Sequence, residues 1–279
     1  MKAIAYLLLV TLIWGTTFPL QKFFLVDVSP FAFNAIRFWL AALFSLFFAK
    51  KHVVKEAMLL GLVFGVAYLT QTWGITLTTA SKSGFLTSLY IIIVPLFAFL
   101  LEGEKINGFQ KIGFPVAIIG SYFMAGGISG LNAGDLLNIV CGVLFALHVV
   151  LVTKASKKMD EMSLLTVQFA TAALINTIAG LSGKWALPLP VLSVACYLAL
   201  FPTLLALIIQ LKYQKQVGSN ITALIFVGEP IFSALFAVMF IGERMSVMQT
   251  IGALMLVSAI LFASLEKKRQ KCNPIDGSF

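Results

Sequence analysis

Leu96-Phe97-Ala98, Gly103-Glu104-Lys105 and Gln110-Lys111-Ile112-Gly113 recur 139 positions later, without a gap, as Leu235-Phe236-Ala237, Gly242-Glu243-Arg244 and Gln249-Thr250-Ile251-Gly252. Each copy ends a block of five hydrophobic segments. An odd number of membrane crossings per copy turns the second copy upside down relative to the first. Inverted copies are the sequence mark of a carrier that opens alternately to two compartments.

The composition agrees with burial in lipid. Of 279 residues, 60% are hydrophobic and only 11% charged, whereas a soluble domain carries about 25% charged residues. The two halves are too alike to read as two soluble domains, so one integral membrane domain is expected. The net charge is +9. In this setting it reflects basic loops on one side of a bilayer, and no basic run with interleaved aromatics points to nucleic acid. Cys141 and Cys196 fall in apolar segments and Cys272 in the tail. Their spacing suggests neither a metal site nor a disulfide framework, so all three are expected to be free thiols.

Spans of roughly 20 apolar residues fall at 3–21, 30–49, 57–77, 83–101, 109–126, 135–153, 163–182, 190–210, 218–241 and 246–265. The first is long enough to be retained as a helix and does not have the shape of a cleaved signal peptide. The predicted fold is an all-α integral membrane protein of ten transmembrane helices in two inverted five-helix repeats. The first repeat covers 1–126, a Gly-rich linker 127–134, the second repeat 135–265 and a polar cytoplasmic tail 266–279, disordered after Glu266. Alternating the loops with the N-terminus inside puts 15 Lys and Arg on the inner side against 4 on the outer, which with Arg37 accounts for all 20. That bias supports ten spans with both termini cytoplasmic. The Glu104 turn then faces inward and the Glu243 turn outward.

The 139-residue offset also sets Gln71 against Gln210, Tyr90 against Glu229 and Ala80-Ser81 against Ser219-Asn220. An offset of 131 sets Trp14-Gly15 against Phe145-Ala146. Trp14-Gly15-Thr16-Thr17-Phe18, Ile36-Arg37-Phe38 and the run from Pro230 to Gly242-Glu243-Arg244 together resemble the EamA-type members of the drug/metabolite transporter superfamily, over essentially the whole chain. The resemblance implies a multi-pass carrier of the bacterial inner membrane that moves small metabolites, often amino acids, without ATP and more often outward. One departure stands out. Pro230 lies 13 residues before Glu243 but Pro95 only 9 before Glu104, so the two fourth helices are expected to bend at different depths.

Two formal charges fall inside spans, Arg37 and Glu229, where a buried charge costs about 3 kcal/mol or more. They are candidates to line the route, to bind a charged or zwitterionic solute or to relay a proton. An ion pair that only fixes packing is the competing reading. His148 titrates near neutrality when unperturbed and makes proton coupling conceivable. Asn34, Gln71 and Gln210 are placed at mid-depth to contact a solute, or to hydrogen-bond between helices. Trp14, Tyr68, Trp73 and Tyr90 are candidates for an aromatic wall able to hold an ammonium group. Gly15, Pro19, Pro95, Pro202 and Pro230 are hinge candidates, because proline breaks the helical ladder and frees carbonyls. Gly61 and Gly65, four apart, invite close helix packing. Glu104 and Glu243 are read as helix-end caps rather than solute ligands.

These readings favour a secondary carrier of small metabolites, with export ahead of uptake or exchange. No phosphate-binding loop is present to make it an ATP-driven pump. A channel or lipid scramblase is the alternative of another class, and it lacks a filter-like run. An intramembrane enzyme lacks a nucleophile or metal motif. No cofactor is expected. The expected partners are a small-molecule solute and the lipid bilayer, with a coupled proton and a homodimer left open and no nucleic acid.

Overall fold

The structure is a computed structural model that describes residues 2–50, 55–126, 130–157, 159–242 and 244–272. His52 and Glu243 lie outside the described residues. The described residues form α1 (Lys2–Gly15), α2 (Thr17–Phe24), α3 (Pro30–Leu46), α4 (Lys55–Leu77), α5 (Ala80–Ser88), α6 (Tyr90–Glu102), α7 (Gln110–Met124), α8 (Ala133–Ser156) and α9 (Glu161–Ala179). They continue as α10 (Leu189–Leu198), a π-helical stretch (Ala199–Leu205), α11 (Ala206–Gln214), α12 (Ser219–Phe226), α13 (Gly228–Ile241) and α14 (Val247–Cys272). Taken across their internal breaks, these make ten helical runs. Eight are long and apolar enough to cross a membrane, and Pro30–Leu46 is a shorter apolar one.

The tenth run, α7, has only 15 residues, about 22 Å of helix. It still runs from end to end beside α14. At one end the Phe109 amide donates to Glu266 Oε2 at 2.7 Å, and at the other Gln249 Nε2 donates to the Met124 carbonyl at 3.4 Å. Glu266, the anchor, is 2% exposed, and the disorder expected after it is corrected over residues 267–272. The helix continues to Cys272.

Helix starts follow local chemistry. The side chains of Ser29, Thr79 and Asp160 accept from amides three residues on, and Asn132 with Asp135 forms a reciprocal capping box. The repeated Gly-Glu-basic turn has a backbone cause. Gly103 and Gly242 close α6 and α13 with φ of 70° and 72°, a left-handed conformation that favours glycine.

The two ends of the bundle are distinct. One holds Glu102 and Glu104 on the start of α12, Lys215 on Glu161 at 2.7 Å, and Glu266. The other holds Lys22 on the Ile75 and Thr78 carbonyls and Lys82 on Asp135 at 2.6 Å. The Glu104 turn lies at the first end, and Arg244 lines a cavity with Lys22 and Ala80 at the second. The copies are therefore antiparallel.

The molecule is inside-out relative to a soluble protein. Arg37, Asn34, Gln168 and Asn176 are fully buried, while Phe47, Phe99, Leu189 and Met239 lie outside at 53–75% exposure, as a lipid solvent requires. Two large apolar clusters form the core, and Trp14 and Phe145 pack against both. As expected, Gly61 and Gly65 let α4 lie on α9. A Cβ at Gly65 would fall 2.8 Å from the Ala172 Cα. Because that neighbour is backbone, Gly65→Leu is expected to cost at least 2 kcal/mol, on the order of an overpacked core, read as a lowered melting temperature in detergent.

Candidate functional site

Four irregularities in the helices meet at mid-depth. The first run breaks at Thr16, the fourth at Leu89 and the ninth at Val227, and the eighth passes through the π-helical stretch around Pro202. The breaks at Leu89 and Val227 are 138 residues apart, close to the repeat offset. The expectation of unequal depths is thus overturned, because the prolines do not mark the breaks. Pro19 and Pro230 are each the third residue of the helix after a break, where no intrahelical partner for the missing N–H is needed. Pro95 sits within α6, six residues beyond its break. At Gly15 the chain lies against α13, and a Cβ there would fall 2.6 Å from Phe232 Cβ.

Beside these breaks is a central cavity of about 40 Å³, lined by Trp14, Thr17, Phe64, Tyr68, Gln71, Tyr90, Phe145, His148, Val149, Leu207, Gln210, Phe226 and Glu229. Ten of these thirteen are repeat counterparts. Trp14 with Phe145 and Thr17 with His148 stand 131 apart, and Tyr68 with Leu207, Gln71 with Gln210 and Tyr90 with Glu229 stand 139 apart. The axis relating the two copies therefore passes through the cavity.

Its wall is aromatic with a few polar groups. Trp14 Nε1 donates to the Pro202 carbonyl at 2.8 Å, which ties α1 to the π-helical stretch. Gln210 Nε2 donates to Gln214 Oε1 at 2.8 Å. Thr17 Oγ1, Gln71 Oε1, Tyr90 Oη and His148 Nε2 are buried without a protein partner, each such group costing about 1–3 kcal/mol when left unmade. Glu229 is partly buried, and the ion pairs among the described residues, Lys82–Asp135 and Lys215–Glu161, do not include it. The site thus offers one carboxylate and several hydrogen-bonding atoms inside an aromatic cage.

Seven of the ten sequence candidates line this cavity, namely Trp14, Tyr68, Gln71, Tyr90, His148, Gln210 and Glu229. Three do not. Trp73 is 42% exposed and sits edge-on to Phe31 on the outer surface. Asn34 is a packing residue. Its Nδ2 donates to the Tyr68 carbonyl and to Asn176 Oδ1, and its Oδ1 accepts from Thr72, joining α3, α4 and α9. Arg37 stands behind the wall, fully buried. Its Nε donates to Thr203 Oγ1 at 2.7 Å, its guanidinium carbon lies 4.6 Å from the Tyr68 ring centre, and Nη1 and Nη2 have no hydrogen-bond partner. The ion pair with Glu229 does not form. Phe145, Thr17 and Leu207 were within reach of sequence reasoning, as repeat counterparts of Trp14, His148 and Tyr68. Phe64, Val149 and Phe226 carry no such signal.

A larger vestibule of about 230 Å³ adjoins the same breaks, reaching from Ser88, Pro230 and Ser233 to Lys22, Ala80, Ala237 and Arg244 at one end of the bundle. The opposite end is bridged between the repeats. There Glu104 Oε2 and Oε1 accept from the Ser219 and Asn220 amides at 2.9 and 3.2 Å. Burial holds the Glu104 carboxyl above its ordinary range, an effect the two amides offset only in part. The cap expected of this residue is therefore present, donated by one repeat to a helix of the other.

Comparison with known proteins agrees with this architecture. An uncharacterized transporter of Archaeoglobus fulgidus is 31% identical over 261 residues, 93% of this chain and 84% of that relative. The uncharacterized transporter YwfM of Bacillus subtilis is 24% identical, covering 95% of each chain. A crystal structure of a protein 18% identical superposes with a TM-score of 0.78 over 96% of this chain and 98% of that one, which shows the shared fold. Residues 1–126 and 132–265 each match the EamA-like transporter family, and the chain belongs to that family.

Proposed function

We propose that this chain is a secondary carrier that exports a small metabolite bearing an ammonium group, an amino acid or related solute, by alternating access. Membership of the EamA-like transporter family supports small-solute transport across a membrane. The observation that carries the finer reading is the cavity built from both repeats, with Glu229 inside a cage that includes Trp14, Tyr68 and Tyr90. A carboxylate beside ring faces suits an ammonium group. Unpartnered atoms of Gln71, Thr17 and His148 suit the polar groups beside it. At about 40 Å³ the cavity has room for only a few waters, and in this reading it widens toward the vestibule to admit solute.

The topology follows from charge. Lys50, Lys105, Lys154, Lys157, Lys212 and Lys215 belong to the Glu104 end, which is therefore the cytoplasmic face, with both termini inside and the vestibule facing outward. Glu229 is the proton-coupling group in this reading, as the carboxylate of the cavity.

Transport is tested by counterflow of an amino-acid panel in proteoliposomes, with and without a proton gradient. Saturable exchange of an ammonium-bearing solute is expected. Glu229→Gln is expected to lower gradient-driven flux about tenfold or more while exchange survives, and normal flux under every gradient overturns the coupling role. Trp14→Phe, which loses the bond to Pro202, is expected to raise the apparent KM several-fold, roughly the worth of one hydrogen bond. Trp73→Ala is expected to leave KM unchanged. Arg37→Met removes a buried cation that has no carboxylate partner among the described residues, and is expected to hold or raise stability by about 1 kcal/mol, read from the melting temperature, while slowing transport.

A further inference from the structure

A hydrogen-bonded chain leads away from the central cavity at Gln210. Gln210 Nε2 donates to Gln214 Oε1 at 2.8 Å, and Gln214 Nε2 donates to Thr153 Oγ1 at 2.7 Å and to the Val149 carbonyl. The hydroxyls of Thr153 and Ser219 lie 2.8 Å apart, Ser219 Oγ donates to Glu102 Oε2 at 2.7 Å, and the Ser219 amide donates to Glu104. One unbroken chain of hydrogen bonds thus fills the space between the cavity and the Glu104 end.

Its last link has an unusual donor and acceptor set. α12 starts after Gly218, which has no side chain to cap it. The two carboxylates that take its first amides and its first hydroxyl come from the end of α6 and the turn after it, in the other repeat. Gly218 has φ of 85°, and a Cβ there would fall 3.0 Å from Glu104 Oε1, so the missing side chain is what lets the foreign carboxylate reach the helix. The counterpart of this site, 139 residues earlier, is the start of α5 at Ala80. That helix is capped by its own Thr79, whose Oγ1 accepts from the Lys82 amide at 3.2 Å. The outer vestibule lies there, with Ala80 and Gly84 on its wall. Equivalent helix starts in the two copies are thus capped differently, α12 by carboxylates of the other repeat and α5 by its own Thr79 beside the vestibule.

We infer that Glu102 and Glu104 form the inner gate of the carrier, holding α12 against α6 and α8 in the outward-facing state and releasing it when the cavity opens to the Glu104 face. The gate is a positioning device that touches no solute. It rests on the alternating-access reading above, and its test is separable from that reading because it reads conformation rather than flux.

The test uses the full chain with Cys141, Cys196 and Cys272 changed to Ser and one reporter cysteine at a time. Ser233→Cys reports the vestibule, Ile221→Cys on α12 reports the inner side, and Phe33→Cys in the separate apolar cluster reports general loosening. A membrane-impermeant maleimide is applied from each face. With the clasp intact, Ser233→Cys is expected to label from the vestibule side and Ile221→Cys to stay protected. Adding Glu104→Ala is expected to raise inner-face labelling of Ile221→Cys about tenfold, the worth of one charge-assisted hydrogen bond, and to slow labelling of Ser233→Cys. Glu104→Gln keeps one acceptor oxygen and is expected to give a smaller rise. If Glu104→Ala does not fold, Ser219→Ala, which cuts the links to Glu102 and Thr153, is expected to give a several-fold rise by the same readout. Unchanged labelling at both reporters, or a parallel rise that includes Phe33→Cys, overturns the gate. Shifted labelling without solute counterflow leaves the gate standing and sinks the transport reading, whereas counterflow with unmoved labelling does the reverse.

Discussion

A backbone N–H or C=O in hydrocarbon has no solvent to turn to, so a helix there can be interrupted only where another group takes over. The architecture of this chain follows from where that condition is met. Its interruptions gather where the two repeats face each other, at Thr16, Leu89, the π-helical stretch and Val227. The Trp14 indole takes the Pro202 carbonyl there, and Pro19 and Pro230 fall in first turns where no amide partner is needed. Away from this region the helices present apolar side chains outward, with interior prolines at Pro95 in α6 and Pro115 in α7. The cavity is therefore a consequence of backbone satisfaction as much as of side-chain choice.

The same argument separates what the sequence discloses from what it hides. Depth was legible, because span boundaries and loop charges set it. Facing was not. Gln71 and Trp73 are neighbours at one depth, yet two residues along a helix turn the side chain by about 200°, so one meets the cavity and the other the surface. A soluble helix advertises its buried face by polarity, but α4 is apolar on the lipid side and packed on the other, and the signal fades. Arg37 shows the same limit in another form. Its burial is evident from its place in a span, but whether a carboxylate meets it depends on how helices distant in sequence are arranged around it.

The repeat offset is the most informative sequence signal. Read as a map of the cavity, it reaches Phe145, Thr17 and Leu207 from residues already suspected. Proline was a less faithful guide. It marks the turn after a break, so Leu89 and Val227 escaped notice. The continuation of α14 past 265 was hidden too, because the polar composition of that stretch looks disordered until Glu266 is seen holding the Phe109 amide.

Tyr90 and Glu229 occupy matching places in the two copies. Two identical subunits built around the same axis would be bound to present the same group twice, either a pair of phenols or a pair of mutually repelling acids. Joining both copies in one polypeptide removes that obligation. A nearly symmetric chamber can then carry a single carboxyl group on one side only, so that its two halves differ chemically.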